Sequence, residues 1–194
     1  MSKQSRFFKI ISLAACLGFS SLSFADLNLN KDKSQLNFIS IKNEHVAESH
    51  TFDSFSGSLS DEGALTIAID IDSVNTIIPI RNERMRKMLF DAANYQQAVF
   101  NANIDKQLLK LAEGTSQTVS VNGSLKIKDV SAPVTFDVAI TALENGQFRA
   151  TTVKPTLINA SSFQLDAGIA ALKEIAMLNS ISTTVPLTFS VIFE

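Results

Sequence analysis

The feature that most constrains the fold is an alternation of apolar and polar residues with a period of two. In residues 65–72, four branched apolar side chains alternate with Thr, Ala, Asp and Asp, which places the apolar ones on one face of a half-buried strand. The same pattern runs through residues 119–128, 134–141 and 185–193, and in a weaker form through residues 35–41, 46–55, 97–104 and 147–153. These segments predict about eight β-strands.

The alternation indicates antiparallel strands, because the strands of parallel sheets are buried on both faces and form continuous apolar runs. Asn145-Gly146 lies between two strand segments and is typical of a type I′ hairpin turn, which needs positive φ angles. Residues 81–91 and 168–178 instead carry apolar residues at helical spacing. The sequence therefore predicts an all-β, antiparallel sandwich or barrel with two short inserted helices, in one domain.

The first 25 residues predict a secretory signal peptide. Basic residues without any acid are followed by a mostly apolar run, residues 10–24, and by Ala25 at a small-residue cleavage site. Cys16 follows Leu-Ala-Ala, which also resembles a bacterial lipobox. The apolar region of a signal peptide normally has about 7 to 15 residues, and the apolar stretch before Cys16 is shorter. We therefore favour cleavage after Ala25 over lipoprotein anchoring through Cys16, and expect residues 26–194 to form the exported domain.

The composition excludes several functions. The chain has 17 basic and 19 acidic residues, so it lacks the basic excess typical of nucleic-acid binding. A single cysteine can form neither an internal disulfide nor a Cys-based zinc site. His45 and His50 are five positions apart and would point to opposite faces of a strand, so we interpret them as exposed polar groups. These residues assemble no catalytic group, and we expect no enzyme activity, no cofactor and no metal.

The aromatic residues favour an apolar interior. The chain has 14 Phe, one Tyr and no Trp, and Phe is the aromatic residue without a polar group. Small residues at three inward positions, Gly123, Ala98 and Ala102, would leave volume for a ligand inside a barrel. A filled core would have the same composition. The sequence therefore leaves a hollow barrel and a filled barrel as alternatives.

Three segments resemble the YceI-like family, over about residues 34–194. Residues 121–136 read V-N-G-S-L-K-I-K-D-V-S-A-P-V-T-F and are similar to the family's V-x-G-x-L-T-I-x-G-V-T-x-P-V segment. Residues 73–100 follow its S-x-x-T, R-D-x-H-L, F-F and Y-P-x-x-F elements in order, and residues 52–57 resemble its F-x-x-F-x-G. The resemblance implies an exported bacterial protein with an antiparallel, up-and-down (lipocalin-like) β-barrel, in a family of which some members bind polyisoprenoids.

By this resemblance we expect a periplasmic protein that holds a long apolar lipid, such as a polyisoprenoid or a quinone tail, in the barrel interior. We also expect it to contact a membrane surface for lipid exchange, and the sequence leaves the oligomeric state open. The alternative is a periplasmic interaction or structural module with a filled barrel and no lipid ligand. The candidate ligand-binding residues are apolar members of the alternating strands, namely Ile67, Ile69, Phe100, Leu125, Ile127, Phe136, Val138, Leu187 and Phe189.

Departures from the family pattern fall where the mouth of a pocket is expected. Asn82, Arg84 and Gln96 stand where the family usually has Asp, His and Pro, and Gln164 replaces the Gly of an F-G pair. These changes imply a different ligand or a partly closed pocket. The candidate mouth residues are Arg81, Arg84 and Met85. The basic residues of this helix are most simply its water-facing side, and the alternative is a contact with an anionic head group.

Overall fold

The computed structural model describes residues 26–194, so the predicted signal peptide and Cys16 lie outside the described residues. The strands of this region are β1 (Leu27–Asn28), β2 (Gln35–Lys42), β3 (Val46–Phe52), β4 (Phe55–Leu59), β5 (Ala64–Asp70), β6 (Val74–Asn75), β7 (Gln97–Asn103), β8 (Ser116–Ile127), β9 (Val130–Ala142), β10 (Phe148–Thr152), β11 (Thr156–Asn159) and β12 (Thr184–Phe193). The helices are α1 (Pro79–Arg84), which continues into a π-helix at Met85–Phe90, and α2 (Asp166–Ile175). Short 3₁₀ turns lie at Lys31–Lys33, Ile71–Ser73, Lys106–Lys110, Glu144–Gly146 and Ala160–Phe163.

The strands form one antiparallel sheet that curls into a closed barrel. Each long strand pairs with the next one along the chain, from β5 through β7, β8, β9 and β10 to β12, and β12 then pairs with β2. β3 and β4 act as one bent strand, since β3 pairs with β2 and β4 pairs with β5. This double pairing closes the ring with eight strand positions and confirms the predicted up-and-down barrel.

The observed strand count exceeds the predicted one for local reasons. The predicted strand 46–55 is split at Asp53-Ser54 into β3 and β4, and the additional strands β1, β6 and β11 are only two to four residues long. The predicted strand 65–72 ends at Asp70, because the Asp70 carboxylate accepts a hydrogen bond of 3.0 Å from the backbone N–H of Asp72 and starts a 3₁₀ turn. These differences leave the fold class unchanged.

The two ends of the barrel are built differently. At one end, β1 pairs with β4, and the adjacent Leu29 forms a bridge with Phe193 of β12. Asn28 and Glu194 exchange backbone hydrogen bonds of 2.8 and 2.9 Å there. The opposite end, where β2, β5 and β8 finish, carries α1, the π-helix and α2. None of the helices in residues 26–194 combines the length and the apolar composition that a membrane-spanning helix needs.

The predicted helices and hairpin turn are present, with shifted boundaries. α1 begins at Pro79, whose fixed φ angle suits the first helical position, and the helical segment ends at Phe90 because Asp91 has a left-handed φ of 52°. In the hairpin between β9 and β10, the N–H of Gln147 donates to the carbonyl of Glu144 at 3.3 Å. Asn145 and Gly146 have φ angles of 59° and 72°, as a type I′ turn requires.

Candidate functional site

The inner face of the barrel is lined mainly by apolar side chains that surround two adjoining cavities. The nine candidate residues from the alternating strands all lie on this face. Five line a deeper cavity, one lines an outer cavity at the helical end, and three line both: Ile67, Phe100, Phe136, Val138 and Phe189 are the first group, Ile127 is the second, and Ile69, Leu125 and Leu187 are the third. The alternation therefore identifies inward positions on five strands.

The deeper cavity has a volume of about 130 Å³, and its lining consists of apolar residues alone. Phe136 contacts Phe100 and Phe189 edge to face, with ring centroids 5.2 and 5.3 Å apart and interplanar angles of 80° and 74°. Such contacts between aromatic rings are favourable beyond the area they bury. Towards the end of the barrel where β1 pairs with β4 and Leu29 with Phe193, called the sealed end below, the lining includes Leu59 and Leu108, both buried. This cavity is an apolar pocket that is closed at its base.

The outer cavity is larger, with a volume of about 420 Å³, which lies within the usual range of about 300–1,000 Å³ for small-molecule sites. The residues it shares with the deeper cavity, which include Ile69, Leu125 and Leu187, make the two adjoining parts of one interior. Ile80 of α1 and Ile175 of α2 also line it and are 51% and 45% exposed. The outer cavity therefore reaches the surface between the two helices.

The expectation that small inward residues leave space for a ligand is wrong for Gly123. A Cβ atom at Gly123 would lie 2.3 Å from Cζ of Phe100 and 2.5 Å from the carbonyl oxygen of Asn101. The missing side chain therefore makes room for the Phe100 ring. Ala102 packs against the hydrophobic core, whereas Ala98 does line the outer cavity.

The three candidate mouth residues, Arg81, Arg84 and Met85, all line the outer cavity. Arg81 donates from one terminal nitrogen to Glu48 Oε2 and from the other to the carbonyl of Thr76, both at 2.7 Å. Its side chain is only 25% exposed. The interpretation of the basic residues as the water-facing side of the helix is therefore wrong for Arg81, because this side chain turns inwards to reach Glu48.

His50 belongs to a polar cluster that the sequence does not indicate. The interpretation of His50 as an exposed group is wrong: its side chain is 4% exposed and lines the outer cavity. Glu48, His50 and Phe52 alternate along β3 and share the inner face, so two polar residues occupy inward positions of this strand. In the sequence, only the two-residue spacing of Glu48 and His50 from the apolar Phe52 indicated that they share its face. His45 is exposed, as predicted.

Hydrogen bonds and ion pairs connect the members of this cluster. The His50 Nε2 atom lies 2.8 Å from the Ser40 hydroxyl, and Lys42 Nζ lies 2.7 Å from Glu48 Oε2. The hydrogen bond from Lys42, followed by that from Arg81, holds the pKa of Glu48 below its ordinary value, although partial burial opposes the shift. Burial lowers the pKa of His50, and the charges of Arg81 and Lys42 lower it further, although the carboxylate of Glu48 opposes the shift. This environment favours the neutral imidazole of His50.

Two of the departures from the family pattern have structural roles here. The Asn82 side-chain oxygen accepts from the backbone N–H of Thr76 at 2.8 Å and from its hydroxyl at 2.5 Å, which fixes the start of α1 beside β6. Gln164 has a φ of 56°, a left-handed conformation that favours Gly. Within residues 26–194, no group of three or more His, Cys, Asp and Glu side chains could hold a metal ion.

The interior of a closed antiparallel barrel of eight strands is either filled by side chains or able to hold one small ligand, and the two adjoining cavities leave space inside this one. Residues 27–193 match the family model of the YceI-like domain. The chain belongs to the YceI-like domain family, as the sequence resemblance predicted.

Solved structures agree with this assignment. The chain is 37% identical to a polyisoprenoid binding domain from Saccharophagus degradans that is implicated in plant cell wall breakdown, with a TM-score of 0.83 over 87% of this chain and 97% of that one. Burkholderia cenocepacia BcnA, at 23% identity, has the same fold with a TM-score of 0.62 over 84% and 98% of the chains. A Campylobacter jejuni YCEI protein, at 17% identity, has a TM-score of 0.53 over 94% and 97%. No curated protein matches the chain.

Proposed function

We propose that the protein is a periplasmic binding protein for a long apolar lipid, such as a polyisoprenoid or a quinone tail, which is held in the barrel interior. The observation that carries this proposal is the pair of adjoining cavities, of which the deeper one is lined by apolar residues alone and the outer one, lined mostly by apolar residues, reaches the surface between α1 and α2. The similarity to a polyisoprenoid binding domain at 37% identity supports it. The same features favour a binding role over a catalytic one.

Hydrophobic burial alone supplies enough affinity for such a ligand. Each buried CH₂ group contributes about 0.8 kcal/mol, so ten such groups nominally contribute about 8 kcal/mol, close to micromolar affinity before the cost of ordering the chain. The alternative, an interaction or structural module with a filled barrel, requires an interior without ligand space. The cavity of about 420 Å³ supports the lipid-binding proposal over that alternative.

The periplasmic location is supported by the predicted signal peptide, with its basic start, apolar run and small residues before Ala25. The intact mass of the exported protein tests it. We expect a mass that corresponds to a chain starting at Asp26. A mass that corresponds to a chain starting at a lipid-modified Cys16 would instead establish membrane anchoring.

We also propose that the helical end contacts a membrane surface during lipid exchange. Ile77, just before α1, and Met177, just after α2, are 87% and 92% exposed. Both have left-handed backbones, with φ angles of 66° and 52°, and this conformation is a costly outlier for a β-branched residue such as Ile77. The two exposed apolar side chains flank the helices that line the cavity opening, where a lipid would enter.

The membrane contact is tested with the double variant Ile77→Ser, Met177→Ser in a vesicle flotation assay. We expect the double variant to lose most of the vesicle association of the unaltered protein and to exchange lipid several-fold more slowly. Leu157→Ser is the matched control, because Leu157 is a 66% exposed apolar residue of β11 that lines neither cavity. Equal association of all three proteins would contradict the membrane contact.

The interior location of the ligand is tested by placing a large side chain where the cavities join. Leu125 lines both cavities, so Leu125→Trp should obstruct the interior and lower the uptake of a polyprenol at least tenfold. The neighbouring residue Lys126 is exposed, and Lys126→Trp should bind like the unaltered protein. Since the chain has no other Trp, each variant also has a single tryptophan whose fluorescence can be excited selectively for the measurement. Equal uptake by two folded variants would place the ligand outside the barrel.

A further inference from the structure

Two buried polar groups beside the outer cavity have no hydrogen-bond partner among residues 26–194. They are Nδ1 of His50 and Nε of Arg81, and both side chains line the outer cavity. Most buried polar groups in proteins are paired, and leaving one unpaired destabilises the folded protein. Two polar groups without hydrogen-bond partners in the lining of a cavity indicate that a ligand atom forms the missing hydrogen bonds.

The surroundings of His50 determine what it offers to a ligand. Its Nε2 atom is occupied by the Ser40 hydroxyl at 2.8 Å, which leaves Nδ1 free. A neutral imidazole carries one N–H and one acceptor nitrogen. When the Ser40 hydroxyl donates to Nε2, the hydrogen lies on Nδ1, and His50 becomes a donor. The Nε–H of Arg81 is always a donor, so an acceptor oxygen is suited to both groups.

The charges that line the outer cavity favour an anionic oxygen over a neutral one. Three cationic residues, Lys42, Arg81 and Arg84, and one carboxylate, Glu48, face this cavity. Glu48 Oε2 is shared by Lys42 and Arg81 at 2.7 Å each, whereas Arg84 has no ion-pair partner in the described part of the chain. The lining thus has an excess of positive charge, and a charge in an apolar site is stabilised by pairing with an opposite one.

We propose that the outer cavity binds the anionic oxygen head group of an amphiphilic lipid, a carboxylate or a phosphate, at His50 and Arg81, while its apolar chain extends into the deeper cavity. Arg84, which also lines the outer cavity, adds a second favourable charge to that of Arg81. This inference rests on the proposed function and narrows it, because it distinguishes anionic lipids from neutral ones with the same chain.

The test compares ligands that share a chain and differ only in the head group. Binding of farnesyl phosphate and farnesol, and of myristate and myristyl alcohol, is measured at pH 7 by isothermal titration calorimetry. We expect at least one anionic ligand to bind tenfold or more tightly than its alcohol. Preference for the phosphate alone or for the carboxylate alone supports the proposal and identifies the source of the head group.

Variants then assign the preference to these side chains. His50→Gln retains an amide that can bond to Ser40 and removes the group at Nδ1, and we expect it to lower the anionic preference about threefold. Arg81→Gln should lower it about tenfold, and Arg84→Gln, which disturbs no ion pair of the described residues, about threefold. Arg86→Gln is the matched control, because Arg86 bonds to the carbonyl of Asp72 and lines neither cavity. The alcohols should bind all variants equally.

Two outcomes would overturn the inference in different ways. If the anionic lipids and their alcohols bind equally well, or if the variants retain the preference, the head-group site is wrong while the lipid-binding function stands. If none of the four ligands binds to the folded protein and polyprenols also fail to bind, the proposed function itself is wrong.

Discussion

The environment of His50 couples the protonation of its side chain to folding. Its ring packs against Phe38 with centroids 5.2 Å apart, and the charged groups that act on it are Arg81, Glu48 and Lys42. Burial is the largest cause of its lowered pKa. The unfolded chain therefore binds a proton at His50 more readily than the native barrel does, and protonation favours unfolding.

This coupling predicts a loss of stability in mild acid. The native pKa of His50 lies below its ordinary value of 6.5, so the free energy of unfolding should fall as the pH is lowered below about 6.5. The pKa of Glu48 is also lowered, and its contribution is lost only below its ordinary value of 4.5. Urea unfolding at pH 7, 6 and 5 should give a smaller pH dependence for His50→Gln. An unchanged slope in the variant would contradict the assignment to His50.

The same residues show which side chains of the site were predictable from the sequence. Alternation identified inward positions such as Ile67 and Phe136, because an apolar residue on a half-polar strand belongs to the buried face. It failed for Glu48 and His50, because a polar residue that faces a cavity looks the same in the sequence as one that faces water. Their inward direction depends on the pairing of β3 with β2, which brings Glu48 beside Lys42.

At the scale of elements, α2 is held on the π-helix by close backbone contact. A Cβ atom at Gly168 would lie 2.7 Å from the carbonyl oxygen of Met88 and 2.8 Å from Cα of Leu89. Both neighbours are backbone atoms, which cannot move aside as a flexible side chain can. Since α2 and the π-helix both line the outer cavity, this contact also holds two parts of the cavity wall together.

Because of this contact, we expect Gly168→Ala not to raise the free energy of unfolding, unlike most Gly→Ala substitutions in helices. In a free helix, Gly168→Ala would stabilise by about 1 kcal/mol through helix propensity. Here the overpacking should cost about 1–3 kcal/mol, so we expect no gain or a net loss in the free energy of unfolding, measured with urea. Ala170→Gly, at an exposed position of the same helix, should lose only about 1 kcal/mol. A clear gain for Gly168→Ala would show that α2 is not packed against the π-helix.

The existence of both helices was predictable from the sequence, but their detailed shape was not. The spacing of Met85, Met88 and Leu89 identifies an apolar helical face, and this face is independent of whether the turns are α or π. The bend that divides residues 46–59 into β3 and β4 depends on pairing with two different strands, β2 and β5. Such long-range pairing leaves no local pattern in the sequence.

At the scale of the whole molecule, the barrel has one sealed end and one helical end. Backbone bonds between Asn28 and Glu194 and the buried side chain of Leu108 close the first end. At the second end, the outer cavity reaches the surface between α1 and α2, beside exposed apolar residues. A lipid would therefore enter and leave through the helical end. The sequence could not predict the hollow interior, because a Gly can leave a void or, as Gly123 does, accommodate a neighbouring ring.

Native mass spectrometry of the protein purified from its own host, followed by organic extraction and mass analysis of the released material, tests most directly whether the barrel holds a lipid. We predict one lipid per barrel, with a long apolar chain. Leu125→Trp, purified in parallel, should be recovered without it, and Lys126→Trp should retain it. A bare polypeptide mass for the unaltered protein, together with no uptake of added polyprenol, quinone or anionic lipid, would contradict the lipid-binding account.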